Sequence, residues 1–238
     1  MSGPNKRILR DIHHVTSVSN TVLANAGIYY HADETSAFHG TALIVGQKGT
    51  PYHGGFYFFD IVFPSDYPFS PLRVKTLTQD GKTRFNPNMY LDGKVCLSIL
   101  NTWIDGPPWT SVQSLESVLL VLQANVLTAS PLNNEPMYYT VGLNEDAKKY
   151  NRMVFHANLE TAILRMLQSP PPFALPFVDT MRSVFQTVCR EVLETVEEYA
   201  VHDGVSETFP IFTPPMTVLY RFRALGGALG PLAAPPKN

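Results

Sequence analysis

The chain has 238 residues, which is enough for one full catalytic domain with an extension or for two small domains. Its composition, 45% hydrophobic and 16% charged, allows a substantial buried core and excludes a globally disordered chain. The formal net charge is −2 and the 18 basic residues form no dense run, which argues against nucleic acid or an anionic membrane as the main partner.

The sequence predicts neither a membrane span nor a secretory leader. The longest uninterrupted aliphatic run, residues 118–122, is far shorter than a membrane-spanning helix, and the first ten residues lack the apolar segment of a signal peptide. The two cysteines, Cys96 and Cys189, are too few for a disulfide framework in a chain of this size. We therefore expect a reducing compartment, the cytoplasm and also the nucleus.

The first predicted element is an amphipathic helix over residues 5–18. Its apolar positions recur at helical spacing, at Ile8, Ile12 and Val15. Its predicted exposed side carries Lys6, Arg7 and Arg10. From residue 27 to 78 the pattern changes to β-rich runs, at 42–45, 56–62 and 72–76, separated by Gly- and Pro-containing turns. This spacing predicts an antiparallel meander.

Residues 81–110 are predicted to be mostly irregular. A helix is predicted to begin near Thr110, because Gln113 three positions later completes a capping box. The helix is apolar nearly all round, which predicts a buried central position, through Leu115, Val118, Leu119, Leu122 and Val126.

Two more helices are predicted after residues 130–136. The first begins at the Asn144 cap with an acidic first turn and ends near Leu167, before the Pro170–Pro172 break. The second ends near Gly204 and has one apolar stripe, made of Val178, Met181, Phe185, Val188, Val192 and Tyr199. The last 34 residues are rich in Gly and Pro and are predicted to be poorly ordered, although residues 218–222 could pack.

Cys96 by itself is a weak indication of chemistry, because a lone intracellular cysteine is usually a small buried hydrophobe. It lies just after the turn dipeptide Asp92-Gly93, which predicts that it is exposed. No histidine lies within 30 residues of it, although a histidine elsewhere in the fold remains an alternative base. Thioester exchange needs a thiol but no strong base, and it suits these residues better than hydrolysis.

Six segments together resemble the ubiquitin-conjugating enzyme family in order and spacing. They are Tyr52-His-Gly-Gly-Phe56, Phe63-Pro-Ser-Asp-Tyr-Pro-Phe69, Asn86-Pro-Asn88, Val95-Cys-Leu-Ser-Ile-Leu100, Trp109 and Asn134-Glu-Pro136. The resemblance covers about residues 5 to 167. It implies an α+β fold with an N-terminal helix, a four-stranded antiparallel meander, an active-site loop, a central buried helix and C-terminal helices. It divides the chain into a catalytic domain, 1–168, and a helical extension with a Gly/Pro-rich tail, 169–238.

The resemblance also implies the site residues. Cys96 matches the cysteine that forms the thioester, and Asn88 matches the asparagine of the family's His-Pro-Asn motif. Its amide is assigned to the oxyanion, where one fixed donor is worth about 2.7–4 kcal/mol, or to holding the loop; a plain turn asparagine is the alternative. Glu135 matches an acidic residue that positions the attacking amine or accepts its proton, with a solvated loop glutamate as the alternative.

Partner contacts follow from the same resemblance. Lys6, Arg7 and Arg10 match the helix offered to the activating enzyme, with a solvated helix face as the alternative. Phe69 matches a hydrophobic contact used by ubiquitin ligases, and a core role is the alternative. Trp109 and Cys189 are predicted to serve packing.

The sequence departs from the compact members of the family in several places. Asn86 stands where most have histidine, and residues 101–108 include an insertion of about five residues. These features resemble the larger, Z-type subclass, in which a C-terminal extension is also present. Ser98 and Ser111 replace residues common in compact members, which puts ligase pairing in doubt.

The sequence thus predicts a transferase that carries ubiquitin or a ubiquitin-like protein on Cys96 and passes it to a protein substrate or a ligase. No cofactor or metal is expected, since ATP is used by the upstream activating enzyme. Two alternatives remain, namely a non-catalytic binding variant of the fold and a cysteine hydrolase. The first normally lacks the cysteine, and the second requires a histidine beside it.

Overall fold

The computed structural model describes residues 3–138 and 144–233. Its centre is a four-stranded antiparallel sheet whose strand order follows the chain, which confirms the predicted meander. The strands are β1, Ile28–Ala32; β2, His39–Val45; β3, Phe56–Val62; and β4, Arg73–Thr76. The four aromatic residues at the start of β3, Phe56 to Phe59, are all fully buried, so both faces of the sheet are covered at this strand.

The N-terminal helix α1, Gly3–Thr16, and a short helix α2, Thr21–Asn25, precede the sheet. Ile8 and Val15 are buried against the core, as predicted. The prediction that Arg7 lies on the exposed side is wrong. Its guanidinium pairs with Asp11 at 2.9 Å and donates to the carbonyl oxygens of two residues that precede the central helix, so it is only 17% exposed.

The central helix α3, Leu115–Val121, continues as a π-helical turn to Val126, and the five predicted apolar positions of this segment are fully buried. The predicted start near Thr110 is wrong. Gln113 Oε1 does accept the Thr110 N–H at 2.8 Å, but the two residues form an isolated turn. The helix is capped instead by Ser114, which forms its capping box with Ser117.

The C-terminal helices agree with the prediction. Helix α4, Glu145–Ala157, is capped by the Asn144 side chain and runs through a π-helical segment into α5, Arg165–Gln168. A proline-rich turn follows, and then α6, Val178–Tyr199. Of its predicted apolar stripe, Met181, Phe185 and Val192 are fully buried, whereas Val178, Val188 and Tyr199 are partly buried against the core. Gly204 has a φ of +81°, which suits the chain reversal after this helix.

The prediction of a poorly ordered tail is wrong for the described part of it. Strands β5, Ser206–Phe209, and β6, Met216–Leu219, form an antiparallel hairpin, and α7, Phe222–Leu229, follows. The prolines lie in the loop between the strands, where no ladder hydrogen bond is needed. Buried aromatic and aliphatic residues anchor the segment, so its Gly and Pro content reflects turns. Residues 234–238 of the predicted tail lie outside the described residues.

The extension, residues 169–238, packs directly on the preceding part of the chain at Gly54, where a Cβ would lie 2.9 Å from Val192 of α6. Next to it, Gly55 lies so close to Asn158, in the segment after α4, that a Cβ there would be 1.8 Å from the Asn158 side-chain oxygen. Arg152 of α4 and Glu207 of β5 add an ion pair at 2.7 Å. In the described residues, no helix is both long enough and apolar enough to cross a membrane.

Candidate active site

Cys96 lies between a tight turn and a short 3₁₀ turn, Ser98–Leu100. Its N–H donates to the Asn88 carbonyl oxygen at 2.9 Å, so the two predicted catalytic residues lie on adjacent segments of one loop. An antiparallel bridge between Met89 and Val95 holds these segments together. The fold therefore brings Cys96 and Asn88 side by side, although eight positions separate them in sequence.

The prediction that Cys96 is exposed is wrong, since the residue is only 2% exposed. Thr102 holds the main chain on both sides of Cys96. The Thr102 hydroxyl donates to Val95 O and accepts the Leu97 N–H, each at 2.9 Å. The insertion then folds back over Ser98, two positions after Cys96. Gly106, with φ of +109°, approaches so closely that a Cβ there would lie 2.8 Å from Ser98 Oγ.

Asn86 is a structural residue at the base of the loop. It is fully buried, its Nδ2 donates to Val126 O at 2.8 Å, and its Oδ1 accepts the Asn88 N–H at 2.7 Å. The same Oδ1 accepts a hydrogen bond at 3.2 Å from Asn134, whose amide also binds Asn125 O at 2.7 Å. Asn86 thereby links the active-site loop to the end of the central helical segment.

A groove of about 430 Å³ opens beside the loop. Its lining includes Asn88, two residues of the insertion, Trp103 and Asp105, and the amide residues Asn125 and Asn134. The sequence analysis missed Trp103, Asp105 and Asn134 as site residues. Asn134 adjoins the Asn-Glu-Pro motif and could have been found there, whereas the insertion carries no pattern that fixes which side chain faces the groove.

Glu135 does not line this groove, although its neighbour Asn134 does. It is half-buried at the end of a 3₁₀ turn, where its N–H donates to Leu132 O at 3.0 Å and its carbonyl accepts the Tyr138 N–H at 2.8 Å. Burial first, and then the charges of Asp146 and Glu135, raise the pKa of Tyr138. The carboxylate of Asp105 is thus the acidic group in the groove that contains Asn88.

Comparison with known proteins identifies the family to which this fold belongs. A family model described as ubiquitin-conjugating enzyme matches residues 7–160, more than half of the chain. The chain belongs to the ubiquitin-conjugating enzyme family. Members of this family are transferases that act through a cysteine thioester, and Cys96 is the cysteine in the matched region.

Curated relatives agree with this assignment. Ubiquitin-conjugating enzyme E2 Z of Xenopus tropicalis is 42% identical over 157 residues, which cover 66% of this chain and 48% of that protein. The dual E2 ubiquitin-conjugating enzyme/E3 ubiquitin-protein ligase BIRC6 of Homo sapiens is 34% identical over 211 residues, 81% of this chain and 4% of that protein. The chain thus spans about half the length of the E2 Z relatives it matches, and a small part of the dual enzyme.

Solved structures support the fold. The structure of a ubiquitin-conjugating enzyme from Plasmodium yoelii has a TM-score of 0.52 at 24% identity and covers 68% of this chain and 98% of that one. The ubiquitin-conjugating fold therefore accounts for about two thirds of the chain. The rest is the extension built by α6, the hairpin and α7.

The partner residues predicted from the resemblance occupy different environments. Lys6 and Arg10 are exposed on α1, whereas Arg7 is committed to the contacts described above. Phe69 is 78% exposed, so its alternative core role is wrong. Trp109 is buried and its indole N–H donates to Pro68 O at 2.8 Å, which confirms its packing role.

Two remaining expectations concern hydrolase chemistry and metals. None of the described residues that line the groove, among them Asn88, is a histidine. Across residues 3–138 and 144–233, no group of three or more His, Cys, Asp or Glu side chains is arranged to hold a metal ion.

Cys189 is buried in the core, as predicted, and burial raises the pKa of its thiol.

Proposed function

We propose that this chain accepts ubiquitin or a ubiquitin-like protein on Cys96 from an activating enzyme and transfers it to a substrate lysine or a ligase cysteine. The observation that carries this proposal is the hydrogen-bonded loop that places Cys96 against Asn88 beside a groove, within a region matched by the ubiquitin-conjugating family. ATP is consumed by the activating enzyme, so the chain itself needs no cofactor for either exchange.

Both exchanges are acyl transfers. In the first, the Cys96 thiolate attacks the carbonyl carbon of the incoming thioester, a new S–C bond forms, and the activating enzyme's sulfur leaves as a thiolate. In the second, the amine nitrogen of a lysine attacks the same carbon and the Cys96 sulfur leaves. The amine loses its proton as the amide forms, and a carboxylate or solvent accepts it.

Asn88 is available to stabilise the oxyanion. Its main chain is fixed on both sides by the bonds to Asn86 and Cys96, while its side-chain amide has no hydrogen-bond partner among the described residues. A donor held in place before reaction stabilises developing negative charge without reorganisation cost. Because Cys96 is 2% exposed, charging also requires a local opening of the loop or the insertion.

The first experiment mixes the protein with ubiquitin, ATP and an activating enzyme, using each main type of activating enzyme in turn. We expect an adduct on a non-reducing gel that thiol reductant removes. Cys96→Ser should give at most a reductant-resistant ester, and Cys96→Ala should give no adduct, while Cys189→Ala serves as the matched cysteine control and should charge normally. If no activating enzyme charges the wild-type protein with ubiquitin or a relative, the proposal fails.

The second step is tested with Asn88→Ala. Charging should remain close to wild type, because the amide acts on the oxyanion of a slow amine attack more than on rapid thiol exchange. Discharge of a preformed thioester to free lysine should slow by roughly 10²-fold. Single-turnover discharge measures this directly, and equal rates for the variant and wild type would remove Asn88 from the mechanism.

The remaining assignments extend the proposal. Lys6 and Arg10 contact the activating enzyme and Phe69 contacts a ligase, supported by their exposure. The cytoplasm, and also the nucleus, is the proposed compartment. Support for it comes from the two unpaired cysteines, which suit a reducing environment.

A further inference from the structure

The loop between β5 and β6 reaches the segment that leads into Asn88. Phe212 in this loop is 5% exposed, and the Arg84 Cζ atom lies 4.8 Å from its ring centroid. The same Cζ lies 4.1 Å from the ring centroid of Tyr90, in the active-site loop. The guanidinium of Arg84 thus contacts one ring from the extension and one from the catalytic region.

The two rings set the orientation of the guanidinium. A planar cation over aromatic faces is attracted by the ring quadrupole, and this attraction holds its plane. Arg84 Nη2 donates to Pro87 O at 2.5 Å, within the Asn86-Pro87-Asn88 motif. Arg84 Nε is buried and has no hydrogen-bond partner among the described residues, so the ring contacts, more than additional polar contacts, fix the group.

Every carbonyl oxygen of residues 84–88 accepts a hydrogen bond. The donors, in order along this segment, are the Tyr150 hydroxyl, the Tyr52 hydroxyl, the Met89 N–H, the Arg84 guanidinium and the Cys96 N–H. Two of these donors contact Phe212, since its ring centroid also lies 5.8 Å from that of Tyr150. The extension therefore acts on this segment at both its first carbonyl and its fourth.

We propose that the β5–β6 loop is a positioning element for amine transfer, in which Phe212 acts through Arg84 and Tyr150 to fix the main chain that carries Asn88. This inference rests on the proposed function for its catalytic consequence. The alternative is that Phe212 only fills apolar volume. The two roles can be separated because leucine can fill the same volume but cannot offer the face of an aromatic ring to the guanidinium.

The test compares Phe212→Leu with Phe212→Tyr in the full chain. The matched control is Phe222→Leu, which makes the same change at a buried position in the extension whose ring contacts involve other residues. The first measurement is amide hydrogen exchange at Asn88, Met89 and Cys96, whose N–H groups report on this segment without any partner protein. The second is single-turnover discharge of the charged protein to free lysine.

We expect Phe212→Leu to raise exchange at these amides roughly tenfold and to slow discharge by a similar factor, with charging little changed. Phe212→Tyr should restore both, and Phe222→Leu should leave both near wild type. Wild-type exchange or wild-type discharge in Phe212→Leu overturns the inference, as does an equal effect of Phe222→Leu. If no activating enzyme forms a thioester on the wild-type protein, the proposed function fails instead. The hydrogen-exchange data then decide by themselves whether Phe212 holds the main chain of residues 84–88.

Discussion

Under the proposed function, Asp105 and Glu135 are two candidate carboxylates for positioning the attacking lysine. Glu135 has the sequence position expected from the family resemblance, but Asp105 lines the groove that contains Asn88. A carboxylate can hold the ammonium form of lysine and accept a proton as the amide bond forms only when it lies within reach of the reacting nitrogen. We therefore predict that Asp105, which lines the groove, contributes more to lysine attack than Glu135, which does not line it.

We expect Asp105→Asn to slow discharge to lysine by about tenfold, within the range of a single positioning or proton-accepting group. Glu135→Gln is the matched change at a carboxylate outside the groove and should alter discharge less than about twofold. Transfer to a small thiol acceptor should be unaffected in both, because a thiol requires no ammonium contact. A larger defect in Glu135→Gln than in Asp105→Asn would return the role to Glu135.

At the scale of single residues, motif spacing indicated which residues the fold would bring together, whereas the exposure of a side chain depends on packing that a motif does not record. Cys96 and Asn88 belong to segments with defined spacing, and the fold places them side by side, while their catalytic roles stay predictions. The prediction that Cys96 is exposed was wrong. Thr102, six positions later in the sequence, forms hydrogen bonds with the main chain on both sides of Cys96, a long-range contact that the turn dipeptide does not indicate. Asp105 was missed because an insertion has no periodicity from which the direction of a side chain follows.

At the scale of elements, helix α1 carries one arginine with a structural role, Arg7, and one that is exposed, Arg10. Arg7 pairs with Asp11, which is 6% exposed and also accepts a hydrogen bond from the Tyr67 hydroxyl. We expect Arg7→Ala to lower the free energy of unfolding by about 2–3 kcal/mol, because it leaves a nearly buried carboxylate without its cation. Denaturant unfolding measures the loss.

Arg10→Ala is the matched control for Arg7→Ala on the same helix. The Arg10 side chain is 72% exposed, and its distance of 3.9 Å from Asp11 is long for an ion pair. The substitution should therefore change the free energy of unfolding of the protein by less than about 0.5 kcal/mol. Under the proposed function, Arg10→Ala slows charging by the activating enzyme instead. If both variants lose stability equally, the structural role assigned to Arg7 is wrong.

Strands β2 and β3 carry a pH-sensitive cluster away from the active site. His39 lies 2.5 Å from an Asp60 oxygen and 3.1 Å from an Asp33 oxygen, one at each ring nitrogen. The hydrogen bond to Asp60, then that to Asp33, raises the pKa of His39 above its usual 6.5. Because the folded pKa is the higher one, the stabilisation is fully present below about pH 6.5 and is lost as pH rises through the folded pKa.

We expect His39→Gln to lose part of its unfolding free energy relative to wild type at pH 6, and the difference to shrink as pH rises above 6.5. The effect is reduced by solvent, because His39 is 41% exposed. Taking the difference between the two proteins cancels the pH-dependent contributions of His53 and His156, whose pKa values are lowered by burial, because both proteins contain them. A difference that is constant with pH, or that grows as pH rises, would contradict the assignment.

Sequence predicted the long elements well because their apolar periodicity extends over many residues, as in α6. It failed for the C-terminal hairpin because two four-residue strands joined by a proline-containing loop are too short to give such a pattern. The anchors of that hairpin, such as Phe209 and Met216, are buried by contacts with distant segments. Helix α3 began later than predicted because two potential caps follow each other, and only Ser114 leads into the buried run.

At the scale of the whole molecule, the extension and the catalytic region share one hydrophobic core. Buried residues of α6, the hairpin and α7 belong to the same cluster as those of the sheet and α3. The close approach of Gly54 to Val192 and the Arg152–Glu207 ion pair also join the two parts. Two segments that bury apolar area against each other lose that stabilisation together when either unfolds.

We therefore expect residues 1–168 and 169–238 to unfold in a single cooperative transition. Tryptophan fluorescence reports the catalytic region, since Trp103 and Trp109 both lie there. Alkylation of Cys189 reports the extension, because its thiol is buried in α6, and a Cys96→Ser background makes this the one reactive thiol. The urea midpoints from the two probes should coincide, and Cys189 labelling that precedes the fluorescence change would show that the extension unfolds on its own.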